Sequence, residues 1–217
     1  MAPLPAPPGW THERRIAREG FRCVAGMDEV GRGCLAGPVV AAVVILKTGI
    51  RLSGVHDSKL VPAGRREELM REILRRAEAW GFGAADANEI DRVNILNATR
   101  LAMKRAVEAL PIEPDHLLVD AVRLPDVPIA QTPLIHGDRL SISIAAASIA
   151  AKVVRDRVME FYDRVYPGFG FASHKGYGTA EHLRAVAERG ACPIHRLTFR
   201  GVWQEGWLAL PVAEDLS

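Results

Sequence analysis

The longest apolar runs in this 217-residue chain, such as Val39 to Leu46, are far shorter than the roughly twenty residues that cross a bilayer. Its start, Met1-Ala2-Pro3-Leu4-Pro5-Ala6-Pro7-Pro8, has neither the basic nor the apolar region of a signal peptide and reads as a disordered leader. Cysteine is scarce and odd in number. Cys23, Cys34 and Cys192 lack metal-ligand spacing, which argues against a disulfide scaffold and for a reduced, cytoplasmic setting. Net charge is only +2, yet residues 139–200 hold 10 basic against 5 acidic side chains, a block that suits either a polyanion-facing surface or an ordinary basic face.

What is present is ordinary globular material, 48% hydrophobic and 25% charged, enough for one domain or one domain with an appendage. Trp10 to Gly20 reads as a weakly amphipathic helix. Val24 onward reads as a strand ending in Asp28-Glu29, and Val39 to Leu46 as a second, fully buried strand pairing antiparallel with it across a short turn. A helix is expected from Pro62, with Leu69, Ile73 and Ala77 inward, then a strand over Trp80 to Ala87 and a helix after Asn94. Asp115 to Asp120 reads as a fourth strand, and Pro125 to Pro133 as irregular or edge strand because of its prolines. The longest helix is expected from Ser141 to Val165 and another from Thr179, its cap, to Glu188. The order of elements predicts an α/β layered domain with a mixed sheet: residues 1–20 leader and weak helix, 21–165 the layered domain, 166–217 helical C-terminal extension.

Chemistry concentrates where acids meet element ends. Asp28 and Glu29 precede Gly31-Arg32-Gly33, a turn with no Gly-Lys-Ser/Thr ending and with Ala36 where a dinucleotide fingerprint needs glycine. Taken alone, the stretch reads as a surface hairpin or as a metal-dependent site for a phosphorylated ligand. Taken alone, Asp120 reads as a strand-end acid and Asp138 as a helix cap. If the first and fourth strands are neighbours, Asp28, Glu29, Asp120 and Asp138 converge, and repulsion among them calls for cations. Oxygen-only ligands suit Mg²⁺ or Mn²⁺, and two such ions about 4 Å apart perform in-line phosphoryl displacement. Asp156 is a rival fourth ligand but reads better as a partly buried ion-pair member. Cys192-x-x-His195 lacks the second pair of a zinc site and reads as a packed cysteine with a structural histidine.

Set side by side, Met27-Asp28-Glu29-Val30-Gly31-Arg32-Gly33 with Leu35-Ala36-Gly37, Asp57-Ser58-Lys59, Leu118-Val119-Asp120, Gly137-Asp138, the Ala145 to Asp156 helix, and Gly170 to Thr179 resemble ribonuclease HII, the type 2 ribonuclease H family, in order from about residue 22 to 200. The resemblance implies a ribonuclease H-like mixed sheet flanked by helices, with a helical C-terminal extension. It implies an endonuclease that cuts the RNA strand of RNA–DNA hybrids and nicks duplex DNA 5′ to an embedded ribonucleotide, as in ribonucleotide excision repair, leaving 3′-hydroxyl and 5′-phosphate ends. Carried over by position, Asp28, Glu29, Asp120 and Asp138 would be catalytic metal ligands for Mg²⁺ or Mn²⁺, which favours Asp138 over Asp156. Gly31, Arg32, Gly33 and Tyr177 resemble the elements that sense a ribose followed by deoxyribose, and Lys59 and Lys175 suit phosphate contacts. The expected partners are hybrid and ribonucleotide-containing duplex, with no membrane and no obligate protein partner. A nuclease of the same fold confined to hybrids, or acting on DNA junctions, is the alternative. The chain departs from the family pattern at His56 and at Ala121-Val122.

Overall fold

The computed structural model describes residues 7–55 and 61–202, so the expectations for residues 1–6, for His56 and Asp57-Ser58-Lys59, and for the acidic tail lie outside the described residues. Five strands form one sheet: β1 (Val24–Val30), β2 (Val39–Leu46), β3 (Ala77–Ala85), β4 (His116–Asp120) and β5 (Ala130–Leu134), in the order β3-β2-β1-β4-β5. The hairpin β1–β2 and the pair β2–β3 are antiparallel, whereas β1–β4 and β4–β5 are parallel. All eight residues of β2 are buried because the sheet is covered on both faces there, which is what its unbroken β-branched pattern demands. The prolines of the 125–133 stretch do confine it to an edge: β5 carries Pro133 and pairs only with β4.

One face packs Ala25, Met27, Val43 and Leu117 against α4 (Ile95–Glu108), which contributes Ala98, Ala102 and Ala106. The other packs Ala42 and Val44 against α2 (Ala63–Arg76) and α5 (Ile142–Val165). Between α2 and α4, β3 begins at Ala77 rather than Trp80, so Ala77 ends α2 instead of extending its stripe. A short helix, α3 (Ala87–Val93), stands where none was expected. Its signal was legible: Asp86 accepts from the Glu89 amide at 2.8 Å and Glu89 accepts from the Asp86 amide at 3.0 Å, a reciprocal cap.

Helix α1 (Thr11–Arg18) is more firmly sided than its weak pattern suggested, because one inward position is an acid. Ile16 packs on Leu118 and Ile144, and Glu13, only 1% exposed, accepts from the Ser141 hydroxyl at 2.6 Å and the Ser143 amide at 3.1 Å. Glu13 thus caps α5 from another element, where an anion meets the positive end of the helix.

The C-terminal segment holds α6 (Phe171–His174), not foreseen, and α7 (Ala180–Arg189), capped by Thr179 as expected. Phe169, Phe171, Val186 and Ile194 pack there with Met159 of α5 and Ala36 of the glycine turn. A chain of neutral histidines ties it together. The Cys192 amide donates to His195 Nδ1, so His195 Nε2 carries the proton toward His182 Nε2 at 2.9 Å, and His182 Nδ1 donates to the Tyr177 carbonyl at 2.9 Å. Cys192 and His195 are packed, as expected, and no group of three His, Cys, Asp or Glu arranged for a metal exists among the described residues. Burial, then His182, pushes His195 from the ordinary 6.5 down to about 4. Between these values the unfolded chain binds the extra proton and the folded chain does not, so stability is full above about 6.5 and falls as the pH drops toward 4. The loss is roughly 3 kcal/mol. Urea melts at pH 7 and 4.5 should show it, and His195→Asn should shrink the pH-dependent part whatever its absolute stability.

Candidate metal centre and substrate turn

Because β1 and β4 run parallel with Gly26 beside Leu118 and Met27 beside Val119, the next pair along the register is Asp28 beside Asp120. Gly26, Asp28 and Asp120 share the face turned to α5, where Ser148 hydrogen-bonds the Asp28 carboxyl. Asp28 Oδ1 also accepts from the Glu29 amide at 2.7 Å. Glu29 leaves the opposite side of the strand end and is held by Arg32 at 3.1 Å. Asp120 Oδ1 accepts from the Gly137 amide at 2.7 Å, which draws in the single 3₁₀ turn Gly137–Arg139. Asp138, the residue after that amide, therefore sits half-buried beside the same corner, on a turn packed between β4 and α5.

The corner is electrostatically unfavourable as it stands. Asp28, 6% exposed, is pushed well above the usual carboxylate range by burial first, then by Glu29 and Asp120. Glu29 is also raised, because burial outweighs the relief from Arg32 and Asp120 adds repulsion. Glu29 Oε2 is buried with no hydrogen-bond donor among the described residues. An orphaned carboxylate oxygen beside two more acids fits a hard divalent cation. These side chains are not gathered into a ready cage. Their oxygens are turned instead to protein donors: Asp28 to Ser148 and the Glu29 amide, Glu29 to Arg32, and Asp120 to Gly137.

Beside the acids lies the glycine turn. Gly31 (φ +98) takes a conformation that only glycine adopts freely, and a Cβ there would meet Arg155 Nε at 2.2 Å. Arg32 and Gly33 are exposed, and neither of their amides donates a backbone hydrogen bond among the described residues. The turn is stitched to the C-terminal segment by Leu35 N–Gly176 O at 2.8 Å and Gly37 N–Ile194 O at 2.8 Å. That stitching brings up Tyr177, 41% exposed, whose hydroxyl shares a hydrogen bond with the Cys34 thiol. Lys175 Nζ is engaged by Glu160 at 3.0 Å and by the Ala172 carbonyl. Lys59 lies outside the described residues. A groove of about 550 Å³ runs from Tyr177 and Lys175 past Lys152 and Asp156 to Arg66 and Glu67 of α2.

Asp156 is an ion-pair member, with Lys152 at 2.5 Å and Arg66 at 3.6 Å. The arginines flanking it in sequence turn elsewhere. Arg157 pairs with Glu67, and Arg155 is fully buried, donating to the carbonyls of Pro38, Ala36 and Lys175. Arg196 is buried in the same manner, on the carbonyls of Gly31, Arg32 and Gly37. Sequence reading missed both, since nothing local marks an arginine whose partners are distant main-chain oxygens.

The sequence profile of the family described as Ribonuclease HII matches residues 25–202. The chain is 57% identical over 198 residues to Ribonuclease HII of Geobacter sulfurreducens, covering 91% of each, and 53% identical over 188 residues to Ribonuclease HII of Moorella thermoacetica, covering 87% of this chain and 91% of the relative. Its fold is similar to the crystal structure of ribonuclease H2 from Pyrococcus horikoshii OT3, with a TM-score of 0.71 at 27% identity over 83% of this chain and 95% of that one. With the profile spanning most of its length and relatives this close, the chain belongs to the ribonuclease HII family and is a ribonuclease H enzyme with the mixed-sheet fold of that class.

Proposed function

We propose that the protein is an endonuclease that hydrolyses the RNA strand of RNA–DNA hybrids and nicks duplex DNA on the 5′ side of an embedded ribonucleotide, leaving 3′-hydroxyl and 5′-phosphate ends. The observation that supports this best is the contact between a repulsive acid corner and a turn that exposes the Arg32 and Gly33 amides. Asp28, Glu29, Asp120 and Asp138 would hold Mg²⁺ or Mn²⁺. Bound there, such ions supply an activated water and offset charge on the phosphate under attack. The chain's own residues do the selecting. Only the 2′-hydroxyl separates RNA from DNA at one nucleotide, and free amides reach it without a side chain intervening. The Tyr177 ring lies against the following sugar and disfavours a second hydroxyl. Lys59 and Lys175 meet phosphates, and the groove toward Arg66 and Lys152 gives the duplex backbone a path.

Incubating purified protein with a duplex carrying one ribonucleotide, with and without Mg²⁺ or Mn²⁺, tests the reading. A cation-dependent nick 5′ to the ribonucleotide is expected. Cleavage of continuous hybrid alone points to the hybrid-restricted alternative, and no cleavage of either sinks both. Gly33→Ala sharpens the test, because nothing stands within 4 Å of its added methyl. Its stability should stay within about 0.5 kcal/mol of wild type. Nicking should nevertheless fall about ten- to a hundredfold, because the methyl occupies the space the sugar needs.

A further inference from the structure

We infer that Arg196 is a positioning residue for ribonucleotide recognition: buried beneath the glycine turn, it fixes the direction in which the Arg32 and Gly33 amides point. This assignment rests on the reading of that turn given above.

The guanidinium donates through Nη2 to the Gly31 carbonyl at 2.7 Å and through Nη1 to the Arg32 carbonyl at 2.9 Å. It also donates to the Gly37 carbonyl from Nε at 3.0 Å and from Nη2 at 2.8 Å. In a planar trans peptide, the carbonyl of one residue and the N–H of the next point in opposite directions. Holding the Gly31 carbonyl inward therefore turns the Arg32 N–H outward, and holding the Arg32 carbonyl inward does the same for the Gly33 N–H. These amides belong to exposed residues and have no backbone acceptor among the described residues. One side chain thus orients both donors.

The arrangement is more than a filled cavity. Among the described residues all of Arg196's hydrogen bonds go to main-chain oxygens, so its positive charge is buried there without a carboxylate bonded to it, a costly choice for a group with only a structural duty. Its planar fork matches several carbonyls at once, which an ammonium does not. The residue is itself well anchored: its amide donates to the Leu35 carbonyl at 2.9 Å, His195 bridges Ala36, and the guanidinium lies 5.0 Å from the Phe199 ring centroid. Arg155 holds the neighbouring carbonyls of Ala36, Pro38 and Lys175 and packs against Gly31, while Arg196 is the arginine that hydrogen-bonds the carbonyls of the two peptides carrying the amides; the Cys34 amide adds a longer bond, 3.4 Å, to the Gly31 carbonyl. The C-terminal segment is on this account part of the recognition element.

The experiment compares full-length wild type with Arg196→Lys and Arg196→Gln at a temperature where each is folded by circular dichroism. Affinity for an all-DNA duplex and for the same duplex with one ribonucleotide is measured without divalent ions, and single-turnover nicking is measured with Mg²⁺. Both variants should keep the wild-type affinity for all-DNA duplex. Their preference for the ribonucleotide duplex should vanish, and nicking should fall about a hundredfold. Proportional loss on both duplexes, as general loosening would produce, overturns the assignment, and so does a variant that keeps the wild-type preference. A wild type without any preference removes the reading of the turn itself, and the assignment with it. Should neither variant fold, amide exchange in the wild type decides. The Arg32 and Gly33 amides should exchange freely in the free protein and become protected by the ribonucleotide duplex but not by all-DNA, and protection by both or by neither overturns it.

Discussion

Asp28→Asn should remove cleavage, by about a thousandfold or more, while making the cation-free protein harder to unfold. The two effects share one cause. Asp28 is buried on the face toward α5 with Glu29 and Asp120 beside it, and burial followed by these like charges raises its proton affinity in the folded state above the ordinary carboxyl value of 3.8. A folded state that holds a proton more tightly than the unfolded chain loses stability as the pH rises above that value, so at pH 7 the wild type carries the cost of a carboxyl buried among acids when no cation is present. Asparagine keeps an oxygen for the Glu29 amide and removes the charge. The expected gain in Tm is about 2–4 °C at pH 7, which for a chain of this size reflects about 1 kcal/mol. Adding Mg²⁺ or Mn²⁺ should raise the wild-type Tm and raise that of Asp28→Asn much less, because a ligand stabilises only the state that binds it. Unchanged turnover, or equal cation shifts in both proteins, would remove Asp28 from the metal centre.

The legible part of this chain was set by local rules. The apolar runs of β1, β2 and β4 and the helix starts at Asn94, Ser141 and Thr179 announced their elements closely, and the prolines near β5 marked its edge position. The acids were legible as types but not as a group: Asp28 and Asp120 are 92 residues apart, and only the parallel pairing of β1 with β4 makes them neighbours. What stayed hidden depends on distant partners. Glu13 looks solvated until α5 presents its amides, and Arg155 looks like an ion-pair partner of Asp156 until the turn presents its carbonyls. Helix α6 has four residues and no cap bond from a side chain, so no local pattern distinguishes it from loop. The turn that exposes two amides was recognisable from its glycines, whereas the buried guanidinium beneath it was not, since its interactions span 159 to 165 positions of sequence.

Gly26→Ala should be among the most damaging single-methyl changes in the sheet. Gly26 is flanked in register by Val44 of β2 and Leu118 of β4, so it sits at the centre of the sheet with no freedom to withdraw. A Cβ there would lie 2.1 Å from the Ser143 carbonyl carbon and 2.4 Å from the Ile144 nitrogen, both backbone atoms of α5 and its first turn. A flexible side chain could swing aside, but these atoms cannot unless the helix moves. That helix is fixed by an alanine-rich face fully buried on the sheet and by Glu13 at its start. Overpacking of this kind costs about 3 kcal/mol or more, measurable as a lowered urea midpoint at an unchanged m-value. Activity should fall further than the folded fraction does. Lifting α5 from β1 separates Ser148 from Asp28 and carries the Gly137–Arg139 turn, with Asp138, away from Asp120. Cleavage per folded molecule, read at a temperature where the variant is native, separates this loss of alignment from simple unfolding. A variant within about 1 kcal/mol of wild type and fully active would mean that the contact between β1 and α5 is not what aligns the acids.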